Sequence, residues 1–238
     1  TGWDGGMLVL DAVTIAMDDR VLRADWTVDG GARVAVLGPS GAGKSTLLDA
    51  IAGFRPAAGG RILWGSADLT AQTPQKRPVS ILFQDGNLFP HLTVARNLAL
   101  ALRPDGGRVD ADGRARIDAA LDRVGLAGLA DRRPRSLSGG QRSRAALARV
   151  LLQARPILLL DEPFAALGPA LKAEMLEEVS DVAESLRALV LMVTHEPGDA
   201  LQFASSCVVV ADGVAAPPED TRALLDAPPP ALRRYLGR

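Results

Sequence analysis

The run Gly38-Pro39-Ser40-Gly41-Ala42-Gly43-Lys44-Ser45-Thr46 constrains this chain more than any other stretch. From Gly38 to Ser45 it has the spacing G-x-x-x-x-G-K-[ST]. Glycines at these places let the backbone turn tightly, so that successive N–H groups point at phosphate oxygens. Lys44 is then placed to reach the β- and γ-phosphates of a nucleotide, and the Ser45 hydroxyl to sit on Mg²⁺. The flanks suit this reading. Arg33–Leu37 is apolar, β-branched and of strand length, and Thr46–Ala52 has apolar residues at helical spacing. Strand, glycine loop and helix in that order place a helix N-terminus against the anion.

With 238 residues the chain has room for one large α/β domain, or one domain with an inserted lobe. Its net charge of −1 gives no global pull towards nucleic acid or an anionic membrane. Arginines outnumber acids between His91 and Val150, among them Arg132, Arg133, Arg135, Arg142, Arg144 and Arg149. No nucleic-acid recognition motif accompanies them, which favours a solvated, nucleotide-facing or partner-facing patch. The lone cysteine, Cys207, lies in an apolar run and reads as a buried structural thiol; it excludes an intrachain disulfide. No uninterrupted apolar stretch is long enough to span a membrane. Residues 1–6 precede Met7 and read as a leader or an expression remnant.

Strands and helices alternate along most of the sequence, as in an α/β sheet. Leu8–Leu10 and Leu22–Val28 read as strands of an antiparallel hairpin or sheet, and Arg61–Gly65 as another short strand. From Thr93 to Arg155 the pattern is mostly helical, the mark of an inserted lobe. The tail from Ala215 is proline-rich with one short helix, Thr221–Asp226. Three buried strands end in polar residues: Val79–Gln84, Ile157–Glu162 and Val190–His195. Ligands of such sheets sit at the carboxyl ends of strands, so these ends are expected to meet the glycine loop at one place.

Each strand end offers a distinct chemistry. Asp161, after four aliphatic residues, suits an acid that holds Mg²⁺. Glu162 beside it suits a general base that polarises water for attack on a γ-phosphate. Gln84 offers an amide oxygen to the metal or its water, and His195 ends a core strand in the same row. His91, between Pro90 and Leu92, has no such placement and reads as structural. A second glycine-rich signal, Leu137-Ser138-Gly139-Gly140-Gln141, opens a helix whose N–H groups can bind an anion. One chain needs one phosphate cradle per nucleotide, so the second makes sense if it serves a nucleotide held by another copy.

Gly38–Thr46, Gln84, Leu137–Gln141, Leu160-Asp161-Glu162-Pro163 and His195, in this order, resemble the ATP-binding subunits of ABC transporters. The resemblance covers nearly the whole chain from Met7. It implies a single ATPase domain over residues 7–238: a P-loop nucleotidase core with a mixed sheet, an N-terminal antiparallel β-subdomain and a helical subdomain at about residues 90–155. It also implies ATP and Mg²⁺ as cofactors, and a head-to-tail dimer. ATP is then held between Gly38–Thr46 of one copy and Ser138, Gly139, Gly140 and Gln141 of the other. Further implications are transmembrane permease subunits, a solute-binding protein reached through them, a peripheral position at the cytoplasmic face of the inner membrane, and no nucleic-acid partner.

Arg77–Gln84, Asn87-Leu88-Phe89, His91–Ala95 and Leu191–His195 resemble the importer cassettes, and among them the short ones of thiamine importers. Like them, the chain is expected to lack an added C-terminal regulatory β-domain. Another small-solute importer is the alternative, and a soluble nucleic-acid-associated ATPase is the alternative from a different class. Two positions depart from the family pattern. Met17 stands near where an adenine-stacking aromatic is expected, and offers a polarizable sulfur without a flat ring. Gly168 stands where the family usually has an aspartate that helps couple the two ATP sites.

Overall fold

The computed structural model describes residues 6–83 and 88–237. In chain order its elements are β1 (Met7–Met17), β2 (Arg20–Asp29), β3 (Arg33–Leu37), α1 (Lys44–Ala52), β4 (Gly59–Trp64), β5 (Ala67–Asp68) and β6 (Val79–Phe83). There follow α2 (Val94–Leu102), α3 (Ala111–Arg123), α4 (Gly139–Gln153), β7 (Ile157–Asp161), α5 (Pro169–Leu186) and β8 (Leu189–Val193). The chain ends with α6 (Pro197–Phe203), β9 (Ser206–Ala211), β10 (Val214–Ala215), β11 (Glu219–Asp220), α7 (Thr221–Asp226) and α8 (Pro230–Tyr235). Contacts divide it into two compact units. The first runs to Val79 and returns with Pro156–Asp161 and again from Arg187; the second is Ser80–Arg155 with Glu162–Leu186.

The first unit is built on a mixed sheet with the order β5-β4-β1-β2-β10-β9-β3-β8-β7. β2 shows why one end is antiparallel: Leu22, Ala24, Trp26 and Val28 alternate with exposed polar residues, giving one buried and one wet face. β1 pairs antiparallel with both β2 and β4. Its register shifts between Leu10 and Val13, and Ala12 there takes a left-handed φ of 48°. β9, β3, β8 and β7 instead run parallel. Their residues are almost continuously apolar, because helices such as α1 and α6 cover the parallel sheet. Trp26 donates its indole N–H to Ala215 O at 3.2 Å, linking β2 to β10.

The second unit is mainly helical. Three of its helices start on capping side chains: Thr93 accepts from Arg96 N, Asp110 from Gly113 N and Ser138 from Gln141 N. Leu98, Ile117, Leu121, Leu147, Met175 and Val179 fill its core, with α4 packed on α2, α3 and α5. Asn97 is fully buried and closes the preceding loop, donating to Phe89 O at 3.1 Å and Thr93 O at 3.0 Å while accepting from Phe89 N.

This is the expected α/β architecture, with three local differences. β1 extends to Met17, where only Leu8–Leu10 reads as strand, because hairpin pairing recruits the polar-apolar stretch beyond. α5 groups with the helices of the second unit, which the alternation of strands and helices does not indicate. The tail carries a second helix, α8, beginning on Pro230 at its first turn.

Candidate nucleotide-binding site

The glycine loop leaves β3 between two parallel neighbours and enters α1 at Lys44, two residues before the expected start. Gly38, Gly41 and Gly43 have φ of 149°, 73° and 107°, a region L side chains rarely adopt. At Gly38 a side chain is excluded twice over, since a Cβ there would run into Val210 O. At Gly43 it would lie 2.9 Å from Met17 Sδ, so the methionine packs directly against the loop.

Lys44 is 5% exposed, and its ammonium donates to Gly38 O at 2.7 Å and Pro39 O at 2.9 Å. The lysine thus ties the loop into a ring. Ser45 is exposed in the first turn of α1, and its hydroxyl donates to Asp161 Oδ1 at 3.2 Å. Asp161 is the last residue of β7, opposite Val193 of β8, while Val36 of β3 is opposite the same Val193. The carboxyl ends of β3, β8 and β7 are therefore level, which brings Gly38–Ser45, Asp161 and His195 to one edge of the first unit. Gln84, assigned by sequence to a fourth strand end, lies outside the described residues.

Negative charge already accumulates at this edge. The Asp49 carboxyl on α1 is pushed above its ordinary range, first by burial and then by the nearby Asp161, with Arg55 opposing. A divalent cation would relieve that repulsion.

His195 is exposed just beyond β8, in a turn held by Thr194. Thr194 Oγ1 accepts from Glu196 N at 3.1 Å and donates to Asp199 Oδ2 at 3.0 Å, so the turn is fixed from both sides. Tyr235 of α8 donates its hydroxyl to His195 O at 2.6 Å. A cavity of about 830 Å³ opens beside the loop, lined by Pro39–Ala42, Met17 and Arg20 on one side and by Gly213, Arg234 and Tyr235 on the other. Sequence reasoning missed Thr194, Asp199 and Tyr235. Their roles come from contacts made after folding, although the Pro229-Pro230 start of α8 was a usable signal for the helix that carries Tyr235.

In the second unit, Ser138 caps α4 in a reciprocal capping box. Gln141 N donates to Ser138 Oγ at 3.2 Å, and Gln141 Oε1 accepts from Ser138 N at 3.0 Å. The two glycines after the cap differ. A Cβ on Gly140 would stand 3.0 Å from Leu171 Cδ2 of α5, so this glycine serves helix packing. Gly139 would meet nothing closer than 3.6 Å, which leaves its backbone open to approach.

Glu162 is half-buried, with a left-handed φ of 46° unusual for a residue other than glycine. A Cβ on Gly168 would meet nothing within 4 Å. Several arginines of the basic stretch are engaged internally. Arg142 donates to Leu137 O at 2.7 Å, and Arg144 pairs with Glu174 and, at 2.9 Å, with Glu178.

Residues 21–165, more than half the chain, match the ABC transporter family. The chain belongs to that family. A "Thiamine import ATP-binding protein ThiQ" of Cereibacter sphaeroides is 62% identical over 97% of this chain and 100% of its own length. The protein of the same name from a Ruegeria species is 54% identical over the same shares. A crystal structure of an ATP-binding cassette of an ABC transporter, in its ADP conformation, superposes with a TM-score of 0.87, covering 98% of this chain and 99% of that one. At 22% identity this likeness establishes the cassette fold alone.

Proposed function

We propose that this chain is the ATP-hydrolysing subunit of a thiamine importer. The observation that carries the ATP reading is the ring of Lys44 on Gly38 O and Pro39 O, with Ser45 hydrogen-bonded to Asp161 at its mouth. Entering phosphates replace the two carbonyls as partners of the ammonium, so the loop is preorganised for them. Ser45 and Asp161 supply oxygen donors of the kind Mg²⁺ takes when its other ligands are water and phosphate. An ion held there would neutralise negative charge on the nucleotide's phosphates. Glu162 follows Asp161 in the chain and is the proposed general base. Its left-handed backbone is the kind of local strain found at functional positions. His195 is the proposed partner of the γ-phosphate. Ser138 and Gly139 are proposed to complete the site of a second copy in a head-to-tail dimer, with Gln141 holding the cap.

Thiamine as the cargo is supported by the names of relatives that align over their full length. Among the described residues no helix is long and apolar enough to cross a membrane. In this reading permease subunits provide the path and the chain docks on them peripherally, from the cytoplasmic side of the inner membrane.

The test is thiamine uptake by a thiamine-auxotrophic strain that lacks its own importer ATPase and carries this chain together with its permease and binding protein. Uptake is expected with the wild-type chain and lost with Lys44→Ala or Glu162→Gln. Purified Glu162→Gln is expected to bind ATP, to dimerise with it and to turn over very slowly. Uptake of another solute, with none of thiamine, would overturn the cargo. Unchanged turnover in Glu162→Gln would overturn the assigned base.

A further inference from the structure

We propose that Tyr235 is a positioning residue that holds His195 in one tautomer and one orientation. The inference rests on the reading of His195 as the group that meets the γ-phosphate. Tyr235 is the chain's only tyrosine, forty residues beyond the histidine in sequence. It ends α8, which is anchored by the fully buried Leu232 and continued on its polar side by an ion pair of Arg234 with Asp212 at 3.7 Å. The phenol stands 2.6 Å from His195 O and 3.3 Å from His195 Nδ1, and its residue borders the cavity beside Pro39–Ala42.

The protons settle the roles. A phenol has one O–H, and a carbonyl oxygen can only accept, so the short contact uses that proton. The longer contact is then a hydrogen bond only if Nδ1 carries a proton and donates it to the phenol oxygen. That makes the neutral ring the Nδ1–H tautomer, the opposite of the one an unconstrained imidazole favours. Nε2, on the other edge of the ring, then holds the lone pair, so it accepts a proton from water or from a protonated phosphate oxygen and cannot donate to a bare one. Two hydrogen bonds to one hydroxyl fix both the backbone turn and the ring. Met17 and Tyr235 line the same cavity, so a nucleotide entering it meets the group that sets the histidine.

The full chain labelled with ¹⁵N in histidine provides the test, because it has only two histidines, His91 and His195. Long-range ¹H–¹⁵N correlation reports each tautomer, and His195→Ala assigns the signals. Wild type is expected to show His195 as Nδ1–H. In Tyr235→Phe the His195 ring is expected to move towards Nε2–H, with His91 unchanged. MgATP turnover by Tyr235→Phe should fall about five- to tenfold in kcat, the worth of one hydrogen bond, with KM unchanged. In a His195→Ala background the same change should cost nothing further. An Nε2–H wild-type ring, or a ring unmoved in Tyr235→Phe, overturns the inference, and the wild-type spectrum decides the first point even if the variant does not fold. Wild-type turnover by His195→Ala would overturn the role of the histidine in hydrolysis, while a moved tautomer would still support the contact itself.

Discussion

Arg77 is a buried arginine of the first unit outside the phosphate loop, and replacing it by methionine tests how α1 is held. Arg77 is 2% exposed, and burial lowers its pKa while Asp68 opposes the shift. Its guanidinium donates to Ala50 O at 2.7 Å, Ile51 O at 2.8 Å, Gln72 O at 3.0 Å and Thr70 O at 3.1 Å. Two of these carbonyls end α1, where a cation also meets the negative end of the helix dipole. Gly53 makes the approach possible, for a Cβ there would lie 2.6 Å from Arg77 Nε. Methionine keeps most of the stem but none of the donors. Hydrogen bonds to a charged group contribute about 1.5–3 kcal/mol each, and the four are not additive. Ala50 O keeps the Gly53 N–H at 3.2 Å, and the desolvation cost of the guanidinium disappears with it. The net loss expected is about 3–5 kcal/mol, in the range for breaking a buried charged network. At about 2–4 °C per kcal/mol for a chain of this size, the first unit should melt roughly 6–20 °C lower by calorimetry. Arg77→Lys, a point charge that cannot fork, should fall between the two. Because Arg77 acts at the end of α1 remote from Lys44, ATP affinity measured well below the transition should change little. A melting temperature for Arg77→Met within about 2 °C of wild type would refute the reasoning, because that corresponds to about 1 kcal/mol or less.

Asp49→Asn should stabilise the chain at neutral pH. A carboxyl whose folded pKa is raised favours the protonated form, so folding loses stability as pH rises through the ordinary value of 3.8 and stays penalised above it. The gain in melting temperature at pH 7 should vanish below pH 3.8, and a gain independent of pH would contradict this origin. Cys207 is 1% exposed, with its thiol pushed up to about 12 by burial, so the native chain should resist iodoacetamide at pH 8 and react fully once unfolded in guanidinium. Gly140→Ala should lower the melting temperature of the second unit by crowding Leu171, whereas Gly139→Ala should leave folding intact and weaken ATP-induced dimerisation. Gly168→Asp has open space for its side chain, so a normal melting curve is expected, together with altered cooperativity of ATP turnover in the dimer.

Much of the site was legible because it is contiguous. A phosphate cradle needs glycines and a lysine at fixed steps along one turn, so the spacing of Gly38–Ser45 predicts a tight glycine turn, which the structure has, and proposes a phosphate as its ligand. The apolar run before Asp161 announced a buried strand, and Ser138 with Gln141 announced a helix cap, since each depends on neighbours within a few residues. Even so, the two glycines after that cap look alike in sequence and serve different ends, because only one of them faces Leu171.

The sequence by itself determined the fold class, a nucleotide-binding family and the acid that ends β7, all carried by local patterns whose physics does not extend beyond a turn or a strand. Tertiary structure alone decided how those pieces are held. Arg77 binds carbonyls 26 and 27 residues away, Ser45 meets Asp161 across 116 residues, and Tyr235 reaches back 40 residues to His195. Such partners are chosen by the order of strands in the sheet and the path of the last helix. No short window of sequence encodes either, because a hydrogen bond between distant residues exists only once the chain between them has folded.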